Sequence, residues 1–252
     1  GNFNGGRFNN KRLTLIVKYF LNLYVCDIKY IRFLILLTYF KYMGIKRYIK
    51  NILHNINYDP KRFWNNYGGK QYFNDFHSEY GQRHENIFLD KIEKYKPNSI
   101  IDIGCGYGRY LKAINNNFPD IDLVGVDISK SQIELAKKYC NNSTNINLYE
   151  IDGKNIPFEL NSFDMSISYG CLMLIPKKDL LKIFEDIRKV TKHVSIFFEY
   201  EKPRRHNLFK DKAGYYYHNY DRIFKNLDVK KETIKNWSSD HSVGNTLFTI
   251  KY

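Results

Sequence analysis

The chain has 252 residues, of which 43% are hydrophobic, and it carries a formal net charge of +14. This length and apolar share suit one α/β domain with an extension, and they argue against a wholly disordered chain. The four cysteines form no CxxC or Cys/His cluster, which argues against a metal site and a disulfide framework and favours a reducing, cytoplasmic compartment.

The positive charge is concentrated at the N-terminal end. Residues 1–53 hold ten Lys and Arg against one acid, a balance of +9, whereas the remaining 199 residues hold 30 against 25. We expect residues 1–10 to be a flexible tail and residues 11–58 to be a basic, apolar, helical extension. Charged residues interrupt its apolar runs too often for a membrane-spanning helix. The stretch "GIKRYIKNIL" is typical of a basic amphipathic helix.

We consider three roles for this extension. It forms helices that cap the following domain, or residues 11–55 associate with an anionic membrane surface, or it contacts nucleic acid. Lys and Arg alternating with Leu, Phe and Tyr suit a membrane interface, which would make the protein peripheral to a membrane. Nucleic acid is the less favoured partner, because no recognised RNA-binding module accompanies the charge.

Beyond the extension, strand-like and helix-like stretches alternate. Apolar runs predict strands at 99–103, 122–127, 146–151, 163–169, 194–199, 228–235 and 246–251. Helical patterns predict helices at 79–95, 108–117, 130–140, 177–191 and 216–226. This alternation predicts a Rossmann-like α/β domain over residues 59–252, with a doubly wound, mostly parallel sheet and a C-terminal β-hairpin.

The stretch "IIDIGCGYGRYL" places Gly104, Gly106 and Gly108 directly after a predicted buried strand. Such a turn either is tight or lets the backbone lie against a ligand. A nicotinamide-binding fingerprint would need its third glycine at position 109, which is Arg109. Asp102 would repel a pyrophosphate but would tolerate a cationic ligand. The turn therefore favours S-adenosylmethionine, whose sulfonium and amino groups are positive.

Each of the next two predicted strands ends at an aspartate. Asp127 ends the second strand, where it can accept hydrogen bonds from a ribose diol. Asp152 ends the third strand, where it can accept from an adenine amino group beside the Gly153 amide. Ser131 and Glu134 are spaced as a capping box for the helix between these strands.

With "IPFELNSFD" at 156–164, these motifs resemble the class I S-adenosylmethionine-dependent methyltransferases, in the group with an LPF-SFD signature. The resemblance covers residues 98–199 and implies a seven-stranded sheet whose last strand is antiparallel. It implies that Gly104, Cys105 and Gly106 face the cofactor's amino-acid part, Asp127 the ribose, Asp152 with Gly153 the adenine, and Tyr169 the sulfonium. The expected cofactor-binding set also contains Asp102, Gly108 and Ile128, with Tyr67 and Tyr72 closing over the cofactor.

Methyl transfer depends mainly on alignment of the reacting atoms, and a base is needed only for a hydroxyl or protonated amine. Glu199 and His218 are the candidate catalytic residues. The chain has "GCLMLIP" where many small-molecule members carry a His pair, and it lacks an Asn-Pro-Pro-Tyr signature. We therefore expect transfer to an oxygen or nitrogen of a small-molecule, glycan or lipid-linked acceptor. The alternatives are an RNA methyltransferase and a catalytically silent scaffold in a larger assembly.

Overall fold

The structure is a computed structural model. It describes residues 59–68, 70, 73–74, 84–141, 143–152, 155–201, 216, 218–234 and 244–252. The predictions for residues 1–58, for Tyr72 and for Gly153 lie outside the described residues.

Strands and helices alternate along the described chain. The strands are β1 (Ser99–Ile103), β2 (Asp122–Asp127), β3 (Ile146–Glu150), β4 (Phe163–Tyr169), β5 (Thr191–Glu201), β6 (Asp228–Thr233) and β7 (Gly244–Lys251). The helices are α1 (Pro60–Tyr67), α2 (Glu85–Tyr95), α3 (Arg109–Asn117), α4 (Lys130–Tyr139), α5 (Lys177–Val190) and α6 (Tyr220–Ile223). A 3-10 turn, Leu172–Leu174, follows β4.

The strands form one seven-stranded sheet in the order β3-β2-β1-β4-β5-β7-β6. β1 to β5 pair in parallel, and β7 runs antiparallel to both β5 and β6. The predicted mostly parallel sheet with a C-terminal hairpin is confirmed. The strand order reverses beside β1, which places the carboxyl ends of β1, β2 and β4 around one crevice.

Successive side chains of β1 point to opposite faces of the sheet and pack into two hydrophobic layers. Ile100 belongs to a cluster with side chains of α2, α3 and α4, including Phe88 and Leu111. Ile101 belongs to a cluster on the opposite face with α5 and α6, including Ile187. A central parallel strand is buried on both faces, which explains its unbroken apolar run.

Two local predictions are wrong. The helix predicted at 216–226 is reduced to α6, because Asn219 is its N-cap and accepts the Arg222 amide at 3.1 Å, and Asn226 has a φ of +69°, outside the helical region. The predicted capping box at Ser131 is also replaced. Ser129 is the N-cap of α4 and accepts from the Gln132 amide at 3.3 Å, whereas the Ser131 hydroxyl donates to the Asn65 carbonyl at 3.1 Å.

Among the described residues, no helix has the length and apolarity that a bilayer crossing requires. The same part of the chain contains no group of three His, Cys, Asp or Glu side chains that could hold a metal ion.

Candidate cofactor site

A cleft of about 770 Å³ opens at the carboxyl ends of β1, β2 and β4. Its walls include the glycine turn after β1 and the residues that end β2 and β4, among them Gly104, Gly106, Asp127, Ile128 and Tyr169. These predicted cofactor-binding residues are therefore brought together by the fold. This is the position at which open α/β sheets bind ligands.

The glycine turn ties β1 to β2. Gly104 and Gly106 have φ values of +73° and +55°, a region that favours glycine. The Gly104 amide donates to the Val126 carbonyl at 2.8 Å, and the Gly106 amide donates to Asp127 Oδ2 at 2.9 Å. A Cβ atom on Gly104 would overlap the side chain of Cys171, in the loop after β4. The turn therefore needs glycine both for its backbone angles and for the close approach of this loop.

Asp102 lies buried beneath the turn. Its side chain is 1% exposed, and its Oδ2 atom has no hydrogen-bond partner among the described residues. Burial, reinforced by repulsion from Asp127, raises the pKa of Asp102 to about 8. A positive group placed nearby would favour the ionised carboxylate. The site therefore fits a cofactor with an ammonium or sulfonium group, although Asp102 itself does not line the cleft.

Asp127 presents its carboxylate at the end of β2. It accepts the Gly106 amide and, through Oδ1, the Ser129 amide at 2.8 Å. Burial raises the pKa of Asp127 to about 6, against the lowering effect of these backbone hydrogen bonds. A carboxylate oriented by two amides retains free lone pairs, so it can accept further hydrogen bonds from a ligand diol.

Asp152 lines the cleft beyond the end of β3, and its side chain is exposed. Its Oδ1 atom accepts the Asn155 amide at 3.3 Å. The residue therefore supports a local turn in addition to facing the cleft.

Tyr169 forms an aromatic wall at the end of β4. Its ring stacks on Phe198 with a centroid distance of 4.8 Å and an interplanar angle of 6°. The Tyr110 ring packs against it at 4.7 Å. Packing from both neighbours restricts the Tyr169 ring, so the wall is preorganised.

Two residues of the predicted cofactor-binding set serve packing instead of lining the cleft. Cys105 is 6% exposed, and its Sγ atom would lie 2.9 Å from a Cβ on Gly125. Gly108, with φ of +81°, precedes α3, and a Cβ there would lie 2.7 Å from Cys140 Sγ. Cys105 thus packs against the Gly125 position of β2, and Gly108 against the C-terminal end of α4.

Glu199 does not line the cleft, and its side chain is fully buried in β5. Its two carboxylate oxygens accept the amides of Leu172 at 2.9 Å and Met173 at 3.0 Å. Burial raises the pKa of Glu199 to about 7. The geometry gives Glu199 a positioning role for the turn after β4 and does not support the prediction of a base that contacts substrate.

His218 holds the same turn from the other side. It is 6% exposed, and its Nε2 lies 3.1 Å from each of the carbonyl oxygens of Leu172 and Ile175. Burial lowers the pKa of His218 to about 4, so the neutral ring can donate one shared proton to these carbonyls. Like Glu199, it lies outside the cleft lining and acts on the turn.

The part of the cleft wall that is formed by residues preceding β1 in the chain differs from the prediction. Tyr67 packs against Phe63 and Trp64, both at 5.8 Å, and is not among the cleft residues. Trp64, three residues earlier on α1, lines the cleft with Pro60 and Lys61. The sequence signal for Trp64 was its position one turn inside a helix that starts with an Asp-Pro pair.

The sheet order, the antiparallel seventh strand and the glycine turn followed by Asp127 are those of the class I S-adenosylmethionine-dependent methyltransferase fold, whose usual cofactor is S-adenosylmethionine. Residues 100–193 match the family model described as "Methyltransferase domain". The match runs from β1 into β5 and, with the sheet order, assigns a methyltransferase-type fold to this part of the chain.

Comparisons with individual proteins agree with this assignment. A 24-methylenesterol C-methyltransferase of Arabidopsis thaliana is 29% identical over 128 residues, which are 50% of this chain and 35% of the relative. A solved S-adenosylmethionine-dependent methyltransferase from Aquifex aeolicus superposes with a TM-score of 0.52 at 15% identity, covering 68% of this chain and 93% of the other. The chain thus spans about a third of the length of this sterol methyltransferase.

The same fold also occurs in a protein with a different activity. The structure of the [4+2]-cyclase SpnF superposes with a TM-score of 0.58 at 13% identity, covering 69% of this chain and 83% of the cyclase. A likeness of this kind establishes the fold, and the activity has to be argued from the site.

Proposed function

We propose that residues 59–252 bind S-adenosylmethionine in the cleft and transfer its methyl group to an oxygen or nitrogen of a small-molecule, glycan or lipid-linked acceptor. The observation that carries this proposal is the cleft-lining Asp127 carboxylate beside a glycine turn, with Asp102 buried beneath the turn and its Oδ2 atom without a hydrogen-bond partner among the described residues. Asp127 would repel a pyrophosphate, whereas a positive group above the turn would favour the ionised form of Asp102.

The arrangement of the cleft supports one orientation of the cofactor. Asp127 would accept hydrogen bonds from the ribose, and Ile128 would provide apolar contact beside it. Asp152 would face the adenine. The amino-acid part would lie along Gly104 and Gly106, above Asp102.

When bound, S-adenosylmethionine supplies a methyl group activated by the sulfonium. The protein residues orient the reactants and exclude water, which accounts for most of the acceleration of an in-line displacement. Tyr169, restricted by stacking on Phe198, would limit the approach to the sulfonium. Glu199 and His218 fix the turn that follows Gly170 and Cys171, two cleft residues next to Tyr169.

The acceptor side of the cleft has a mainly apolar wall, formed by residues after β4 and on α5: Leu174, Ile175, Pro176 and Ile183. Such a wall suits an acceptor with an apolar part. The Arabidopsis relative is named for an apolar sterol acceptor, which agrees with such a wall, but it is named as a C-methyltransferase and so does not support transfer to oxygen or nitrogen. The exposed Lys178 and Asp179 also line the cleft, where they would contact a polar head group of the acceptor.

The proposal is tested with methyl-tritiated S-adenosylmethionine, purified protein and a fractionated host lysate. We expect label in the lipid, polysaccharide or small-molecule pool and its loss in Asp127→Ala. An Asp122→Ala variant is the matched control, because this exposed aspartate at the start of β2 lies far from the carboxyl end of the strand.

Other outcomes identify the alternatives. Label in RNA would replace the proposed acceptor class with nucleic acid. A wild-type protein that binds neither S-adenosylmethionine nor S-adenosylhomocysteine, and labels no pool, would indicate a scaffold.

A further inference from the structure

We propose that Trp64 is a cofactor-binding residue that covers the nucleoside, and that Asn65 with Ser129 and Ser131 forms a polar latch that holds it there. This inference rests on the proposed function, since it assigns a new residue to the same site. It begins with the observation that α1, the helix that carries Trp64, contributes no buried side chain to the core.

The position of α1 is set by hydrogen bonds to the start of α4. The Ser129 hydroxyl lies 3.0 Å from the Trp64 carbonyl and 3.3 Å from Asn65 Oδ1. The Ser131 hydroxyl donates to the Asn65 carbonyl at 3.1 Å, and the Ser131 amide reaches Asn65 Oδ1 at 3.4 Å. These four contacts are the latch.

Two further contacts hold the ends of α1. Near its start, Lys61 forms an ion pair of 2.7 Å with Glu150, the last residue of β3. After its end, Gly68 approaches α4 so closely that a Cβ would lie 2.9 Å from Ser131 Oγ and 3.0 Å from Gln132 Cγ. The helix is therefore held at both ends against the β2 and β3 side of the sheet.

This placement brings the half-buried Trp64 into the cleft wall together with Ile128, Gln132, Ile151 and Asp152. Ile128 follows β2, Gln132 lies in the first turn of α4, and Ile151 and Asp152 follow β3, so all four belong to the part of the cleft assigned to ribose and adenine. An indole has a large, rigid apolar face, and stacking of a base on an aromatic ring is a strong, geometrically tolerant contact. The geometry thus points to Trp64 as the side chain that shields the nucleoside from water.

Calorimetric titration with S-adenosylhomocysteine tests this role without using turnover. We expect Trp64→Ala to weaken binding about tenfold or more, as for other aromatic–base contacts, and Trp64→Phe to retain most of the affinity. The same fold-loss is expected for 5′-methylthioadenosine, because this ligand has the nucleoside but lacks the amino-acid part. A loss for S-adenosylhomocysteine alone would overturn the assignment of Trp64 to the nucleoside.

The latch has a matched control on the same helix. Asn65→Ala should weaken binding severalfold, whereas Asn66→Ala, which changes the exposed neighbouring side chain, should leave it unchanged. Equal affinities of the Asn65 and Asn66 variants would overturn the latch. Fluorescence gives an independent readout, since Trp64 is one of two tryptophans in the chain. In a Trp237→Phe background, the emission should change when S-adenosylhomocysteine binds.

The outcomes separate this inference from the proposed function. If the wild type and Trp64→Ala bind S-adenosylhomocysteine equally well, the cofactor assignment stands and the role of Trp64 is refuted. If the wild type does not bind it, both are refuted.

Discussion

Replacing Asp102 with Asn should make the free energy of unfolding of the ligand-free protein less dependent on pH. The pKa of Asp102 is raised from an ordinary 3.8 to about 8, so the folded protein retains a proton that the unfolded chain releases above about pH 4. Its contribution to stability therefore falls as pH rises from 4 to 8. Each pH unit within this window is equivalent to about 1.4 kcal/mol. Between pH 5 and 7 the wild type should thus lose about 2–3 kcal/mol relative to Asp102→Asn.

Urea unfolding followed by circular dichroism at pH 5, 6 and 7 measures this difference. Asp122→Asn is the control, because it removes an exposed carboxylate from the neighbouring strand. In the presence of S-adenosylhomocysteine, the free energy of unfolding of the wild type should fall less with rising pH, since the ammonium group of the ligand favours the ionised carboxylate. Parallel curves for the wild type and Asp102→Asn without ligand would refute the reasoning.

Two further variants test the residues that hold the turn after β4. The pKa of Glu199 is raised from an ordinary 4.5 to about 7, so its contribution to the free energy of unfolding falls as pH rises from 4.5 to 7, and Glu199→Gln should lessen this fall by about 3 kcal/mol. An unchanged pH dependence with lost turnover would instead indicate a catalytic base, and the exposed Glu185→Gln is the control. The pKa of His218 is lowered to about 4, so its ring stays neutral in the folded protein. Its contribution to the free energy of unfolding is therefore complete above pH 6.5 and is lost as pH falls toward 4. His218→Gln should therefore flatten the stability profile over pH 4–6.5, by about 3 kcal/mol.

The sequence was sufficient to predict the strands that build the site. The predicted bounds of β1, β2 and β4 coincide with those observed, because each is an apolar run that ends at a turn. The glycine turn and Asp127 were predictable for the same reason, since their chemistry is local. The number of strands and the antiparallel last strand followed from the family resemblance, whereas the order of the strands was not predicted.

The roles of the buried polar residues were not predictable. Glu199 was interpreted as a base because it lies near the carboxyl end of a strand, yet its partners are amides 26 and 27 residues earlier in the chain. His218 was placed in a helix, although its ring is held by carbonyls 43 and 46 residues away. Contacts at such separations depend on the folded arrangement, which no local pattern encodes.

The attachment of α1 has a consequence for access to the cleft. The hydrogen bond from Ser129 to Trp64 joins residues 65 positions apart, so forming it closes a long loop of chain. No side chain of α1 is fully buried, and segments with few buried apolar contacts belong to the least stable part of a fold. We therefore expect α1 to detach at a lower free energy than that of global unfolding. Release of this one helix exposes the nucleoside end of the cleft and provides a route for exchange of spent cofactor without global unfolding.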